Sequence, residues 1–414
     1  VALLTAAPAI AIGAAAIPAS ASSPVSFTYW TSGFKPAEIA TLDSAFDKAY
    51  PQYKAEGQYI STSDTYFPKV IAALKTNTQP TVYTDQQPYD LPIVEESGKL
   101  IPLTGKLNGP TNQLYPGIRN SLFYRGQQLG MALGGVGDIA LFYNKTDFAQ
   151  AGITSPPTTW TQLAADAAKL TNASAHRYGF YVPTGDAEWI SYDWEPVLWG
   201  DGGSLLNSNQ TKAAFDSAAG IKALSTWVNM VRSQKVAPTA SYAADGNFDG
   251  PTAFASNAVA MITDGPWLEG EVPKGLDYGV APYPSGSSGG STNIGIGVAA
   301  LLKTTSSEDQ AGLAFIKFLA SPAEGAYLTS QSGGLPSSPA QIGQPILKQA
   351  ESAQWYSVFA NNLKYGKLRP LNPQWYTASS YLYTEINDAI AGKATPAQAL
   401  STAAKEVDQA LAQS

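Results

Sequence analysis

Apolar side chains along this chain follow two spacings: short runs that suit buried strands, and i, i+3, i+4 stripes that suit helices. Val25 to Trp30 reads as a first strand. Lys35 to Tyr50 reads as a helix with Ile39, Leu42, Phe46 and Tyr50 on one face, stopped by Pro51. Tyr53 to Ile60 is a second strand, Tyr66 to Leu74 a second amphipathic helix, and Thr81-Val82-Tyr83 a short buried strand. This alternation predicts an α/β lobe with a mainly parallel sheet. Ligands of such sheets sit beyond the carboxyl ends of strands, which singles out the loops Thr31 to Phe34 and Thr84 to Gln87.

The pattern continues downstream. Ile139 to Tyr143 reads as a buried strand and Asn144 to Gly152 as one helical piece. Pro156-Pro157 breaks the chain, Thr158 and Thr159 offer caps, and Trp160 to Leu170 forms a helix with Trp160, Leu163, Ala167 and Leu170 packed inward. Thr211 to Arg232 reads as one long helix, and Ala253 to Met261 as a helix leading into the strand Ala258 to Ile262. Tyr278 to Pro282 and Gly295 to Leu302 are further strands, separated by a Gly/Ser loop from Ser285 to Ser291. Ser306 opens a helix with Asp309 as its capping-box acid, and Thr395-Pro396 with Gln398 starts the last one.

At 414 residues the chain is long enough for two domains, and its 44% hydrophobic and 14% charged content suits a globular protein. A net charge of -7, with no run of Lys or Arg, argues against nucleic-acid or anionic-membrane partners. With no cysteine and one histidine, disulfides, thiolate chemistry and multi-histidine zinc sites are excluded. His176 lies in a polar loop, and no cofactor or metal is expected. Val1 to Ile17 resembles the apolar core of a secretory signal, with Ala19-Ser20-Ala21 as a small-x-small cleavage pattern, so residues 1–21 read as a signal-like segment. No cysteine follows it, which points to an extracytoplasmic protein without a lipid anchor.

Several blocks in order carry a family resemblance. Gly126 to Leu170 combines a Gly-rich strand, Tyr143-Asn144-Lys145, Ala151-Gly152-Ile153 and a Pro-Pro-x-Thr-Trp turn. Trp199-Gly200-Asp201-Gly202-Gly203, Phe254 to Trp267 ending in Gly265-Pro266-Trp267, Phe315 to Ser321, and Gly333-Gly334-Leu335-Pro336 follow. Together they resemble the extracellular sugar-binding proteins that feed ABC importers, the maltose-binding-protein-like family. The resemblance implies a two-lobed α/β periplasmic-binding fold of type II, crossed near Val136 to Ile139, Asn293 to Val298 and Gly333 to Ser338. It implies lobes of 22–137 with 296–336 and 138–295 with 337–414, a di- or oligosaccharide in the cleft, and hinge closure. It further implies a permease as membrane partner, a monomer, and no catalysis.

Sugars are held by flat aromatic faces and by in-plane hydrogen bonds. Candidates of those types are Trp30, Asp85, Gln86, Asp138, Tyr192, Trp194, Trp199, Trp267, Gly334, Arg369, Trp375 and Tyr376, with Trp267 and Tyr192/Trp194 at the sugar face by resemblance. Two other ligand readings stay open. A polyol or a glycerol-phosphate-type solute could take the place of the sugar, with Arg369 serving the anionic one. The pairs Asp186/Glu188 and Asp193/Glu195, read on one face of a strand, could serve a glycosidase or lyase, though no hydrolase signature is present. Asp245 to Gly250 matches half a calcium loop, but Ser256 stands where the bidentate glutamate belongs, so it reads as a turn.

Overall fold

The computed structural model describes residues 23–60, 63–184, 187–238 and 250–413, with the side chains at 63–65, 85, 86 and 187 outside that description. The signal-like segment, Asp186 and residues 245–249 of the calcium-like loop lie outside the described residues. The strands are β1 (Val25–Thr31), β2 (Tyr53–Tyr59), β3 (Val82–Gln86), β4 (Phe123–Tyr124), β5 (Gln127–Gln128), β6 (Met131–Asp138), β7 (Ala140–Asn144), β8 (Met261–Asp264), β9 (Tyr278–Pro282), β10 (Thr292–Leu301) and β11 (Gly366–Lys367).

Two sheets organise the molecule. The larger has the order β11-β10-β3-β1-β2 with β6 on β10, and the smaller the order β8-β7-β9. Strands β1 to β3 pair in parallel, as the strand–helix alternation predicts. The expectation of a mainly parallel sheet fails beyond them, because β10 runs antiparallel to both β3 and β6, and the smaller sheet is antiparallel throughout. The reason is connectivity: β10 arrives from β9 of the other sheet, not through a helix crossover from its neighbour.

The chain changes sheets at Ile139, one residue between β6 and β7, and returns between β9 and β10. These passages are stitched together. Thr292 Oγ1 accepts from Ile139 N and donates to Ile139 O, both at 2.9 Å. Beyond the Pro322–Ser332 helix the chain leaves again, with Leu335 bridged to Val136 of β6. One core cluster runs from the larger sheet to the face of β7 bearing Phe142, and a second covers the opposite face, bearing Leu141. Alternation along β7 thus feeds two cores. Trp160 packs in the second, edge-on to Phe180 and Tyr283.

Three element readings need correction. The long helix does not begin at Thr211: it is Ala218–Val228, capped by Ser217, and continues as a π-turn over Asn229–Ser233. The preceding apolar residues are used otherwise, Ala213 bridging Leu206 and its N–H donating to Asp408 at 2.7 Å. The capping box after β10 is Thr305 with Glu308, one position before the pair read from sequence. The strand read from Ala258 starts at Met261, where pairing with Tyr143 begins.

Candidate ligand-binding site

Aromatic rings gather where the chain crosses between the sheets. Trp267 sits in the 3-10 turn Pro266–Gly270 directly after β8, half-buried and close to the Asp264 carboxylate. The Trp189 ring stands edge-on to it at 6.1 Å and lies 5.5 Å from that of Tyr192. Trp189 and Tyr192 are three apart on the Ala187–Gly200 helix and so share a face. The side-chain amide of Asn293 in β10 donates to the Tyr192 carbonyl and ties that helix to the crossing.

Beside this cluster lies Arg369, the only Lys or Arg among the buried described residues. Its Nε lies 3.0 and 3.1 Å from the two Glu195 oxygens, Nη1 pairs with Glu188, and Nη2 donates to Ser191 Oγ at 3.0 Å. The guanidinium is flanked by the rings of Tyr89 and Tyr192, at 5.0 and 4.9 Å. Tyr89 comes from the Pro88–Asp90 turn after β3, so the stack reaches from the larger sheet to the Ala187–Gly200 helix. Glu188, Ser191 and Glu195 recur at i, i+3 and i+7 on the helix and converge on the arginine. This overturns the reading of Asp193/Glu195 as one face of a strand. On the helix they diverge: Glu195 meets Arg369, whereas Asp193 accepts from Thr263 at 2.7 Å and from Tyr283 at 3.3 Å.

The sequence candidates divide into distinct places. Tyr192, Trp267 and the buried Asp138, last residue of β6, belong to the crossing. Trp30 ends up half-buried in β1, with Lys69 Nζ 4.9 Å from its ring and its carbonyl accepting from Tyr66 at 2.7 Å. Tyr376 meets Phe67 of the Ser63–Thr76 helix, ring centres 5.1 Å apart. Trp199 and Arg369 line a cavity of about 480 Å³ together with Tyr89, Asn207 and Lys367. Four candidates are placed away from open space, the 0% exposed Asp138 among them. Trp194 and Trp375 are core residues, 0% and 1% exposed. Gly334 is buried against the backbone of Gly135 and Val136. The backbones of Asp85 and Gln86 close β3, and their side chains lie outside the described residues.

The Bacterial extracellular solute-binding protein family model matches residues 22–326. The chain belongs to that family. A Brucella abortus binding protein is 25% identical over 282 residues, and the chain spans 65% of the length of the curated relatives it matches. An ABC substrate-binding protein from Listeria monocytogenes, solved in complex with cycloalternan, superposes with a TM-score of 0.83 at 22% identity, covering 93% of this chain and 98% of that one. A Mycobacterium tuberculosis protein in complex with glycerophosphocholine gives 0.81 at 19%, covering 95% and 99%. These likenesses show the fold, a two-domain periplasmic-binding architecture as the resemblance implied.

In this solute-binding protein several site residues escaped the sequence reading. Tyr89 and Asp90 follow β3 in the stretch Gln87-Pro88-Tyr89-Asp90, and Gln87 Oε1 accepts from Ile296 N at 2.9 Å. An aromatic beside a carboxylate after a buried strand was the available signal. Burial pushes the Asp90 carboxyl up to about 8 and that of Asp193 to about 7. Burial likewise holds Asp138 and Asp264 well above the usual carboxylate range. For Glu195, burial outweighs the opposing pull of Arg369 and pushes the carboxyl up to about 8.

Asp90 and Asp193 keep protons in the folded state that the unfolded chain releases near its ordinary value of about 3.9. Their contribution is complete below that value and is lost as pH rises through the folded pKa of about 7 for Asp193 and about 8 for Asp90. The thermal midpoint is therefore expected to fall between about pH 5 and pH 9. Asp193→Asn is expected to flatten that slope, measured by scanning calorimetry across the range. A midpoint that climbs with pH contradicts the assignment.

Proposed function

We propose that this solute-binding protein captures a neutral di- or oligosaccharide between its lobes, closes on it by hinge bending, and delivers it as a monomer to an ABC permease outside the cytoplasm. The observation that carries the reading is the set of rings at the crossing, Trp267, Trp189 and Tyr192, with Trp30 and Tyr376 on the elements around them. Such faces stack on the C–H faces of sugars. The cycloalternan complex of the Listeria neighbour supports the same ligand class. The proposed lobes are 22–137 with 296–336 and 138–295 with 337–414, and a ligand favours closure only through contacts it makes better in the closed form.

Anionic ligands are disfavoured. Arg369 is the buried cation that could meet a phosphate, and its donors already engage Glu188, Glu195 and Ser191. A phosphodiester arriving there meets carboxylates without a free partner. The glycosidase alternative loses one of its two carboxylate pairs, since Asp193 and Glu195 diverge, while Asp186 of the other lies outside the described residues.

A thermal-shift panel of mono-, di- and oligosaccharides, sugar phosphates and glycerophosphodiesters tests this reading. A ligand of the folded state adds about 2.7 kcal/mol at a hundredfold excess over its Kd. One neutral sugar class is expected to raise the midpoint by several degrees, with no product by chromatography. Silence toward all neutral sugars, or a response to glycerophosphodiesters alone, overturns it.

A further inference from the structure

Gly137 of β6 and Gly295 of β10 stand directly opposite each other in the antiparallel pair where the chain passes between the lobes. Directly paired residues point to the same face of a sheet. The space their missing side chains leave is occupied. A Cβ on Gly137 would lie 2.7 Å from Trp267 Cζ3, and one on Gly295 would lie 3.0 Å from Tyr192 Oη. The two glycines are thus the floor beneath two rings of the proposed sugar site.

Trp267 has little room to move off that floor. The same six-membered edge of its ring also closes over Gly265, where a Cβ would collide with Cη2. A Cβ on Gly333, the left-handed residue capping the Pro322–Ser332 helix, would lie 3.3 Å from Trp267 Cα. Glycines of β6, β10 and the segment after that helix therefore all abut the site from the crossings. We propose that Gly137 and Gly295 are positioning residues: they seat Trp267 and Tyr192 on the hinge strands, so the pitch of the aromatic platform is set by the angle between the lobes. This rests on the sugar-binding reading for its ligand, but not for its geometry.

The geometry grades the expected effects. The ring edge near Gly137 is hemmed in, whereas the hydroxyl near Gly295 is the tip of a side chain. Gly137→Ala is expected to weaken binding of the best sugar of the panel about tenfold, and Gly295→Ala about threefold. Tyr192→Phe removes the atom that a Cβ at 295 would meet, so Gly295→Ala in that background is expected to cost nothing further. A readout free of ligand is the indole ¹H–¹⁵N resonance of Trp267 in the unliganded protein, assigned by its loss in Trp267→Phe. It is expected to move in Gly137→Ala. An unmoved resonance overturns the proposal whether or not any sugar binds. So does an unchanged Kd in Gly137→Ala when the parent binds sugar. If Gly137→Ala fails to fold, the Gly295→Ala resonance and affinity series decides, and a deficit that Tyr192→Phe does not relieve overturns the proposal. Silence of the parent toward every sugar, with a moved Trp267 resonance, refutes the ligand class and leaves the seat standing.

Discussion

At pH 9, above the Glu195 pKa of about 8, Arg369→Ala is expected to destabilise the protein by about 3–5 kcal/mol, the cost of leaving a buried carboxylate without its partner. Glu195 is 0% exposed and meets the guanidinium with both oxygens. Removal also strips Ser191 of a donor and opens a gap between the rings of Tyr89 and Tyr192. Lysine is no remedy, because its single ammonium cannot reproduce the planar fork that serves Glu188, Glu195 and Ser191 together. Arg369→Met combined with Glu195→Gln is expected to recover much of the loss, since a neutral pair carries no stranded charge. Urea unfolding followed by tryptophan fluorescence measures both. A loss below about 1 kcal/mol in Arg369→Ala at pH 9 would mean that no ion pair operates there.

Trp267→Ala is expected to cost about 2–3 kcal/mol of sugar binding, a 30- to 150-fold rise in Kd, as for a central tryptophan anchor. Trp267 is half-buried, so the same change is expected to move the unfolding midpoint far less than Arg369→Ala does. Trp199→Ala is the informative companion. Trp199 lines the 480 Å³ cavity and carries Lys367 over its ring at 5.6 Å, away from the Trp267–Trp189 pair. Calorimetric titration is expected to show affinity within about threefold of the parent for Trp199→Ala. The reverse result, Trp199 critical and Trp267 dispensable, would move the ligand into that cavity.

Legibility in the sequence followed the periodicity. Ile39, Leu42 and Phe46 mark their helix without competition, Tyr278–Pro282 is a strand at the residues read, and Thr395 with Gln398 caps as the motif requires. Thr211 to Ser217 failed because apolar spacing cannot tell a helical turn from a segment bridged to Leu206. The site was half legible. Trp267 and Tyr192 stood out by type and by resemblance, yet Trp194 was taken with them and Trp189 was not. Helical spacing explains the error. Trp189 and Tyr192 meet at the crossing, Tyr192 at the edge of the core that Ile190, Trp194 and Val197 fill. Reading that stretch at period two concealed the division. Arg369 gave a charge without a destination, because its partners lie 174 and 181 residues away along the chain.

The interleaved path of the chain sets an order on its folding. The Trp375–Ala391 helix packs on Ala187–Gly200, and the Pro396–Leu411 helix on Ala218–Val228. The core that holds Trp194, Trp227 and Trp375 stays open on one side until those late segments are made. A chain still emerging from the ribosome therefore carries a greasy, unfinished half, and contacts so distant in sequence close slowly. Completion of that half therefore waits on the Trp375–Ala391 and Pro396–Leu411 helices, whose arrival seals the flank over Trp194 and Trp227.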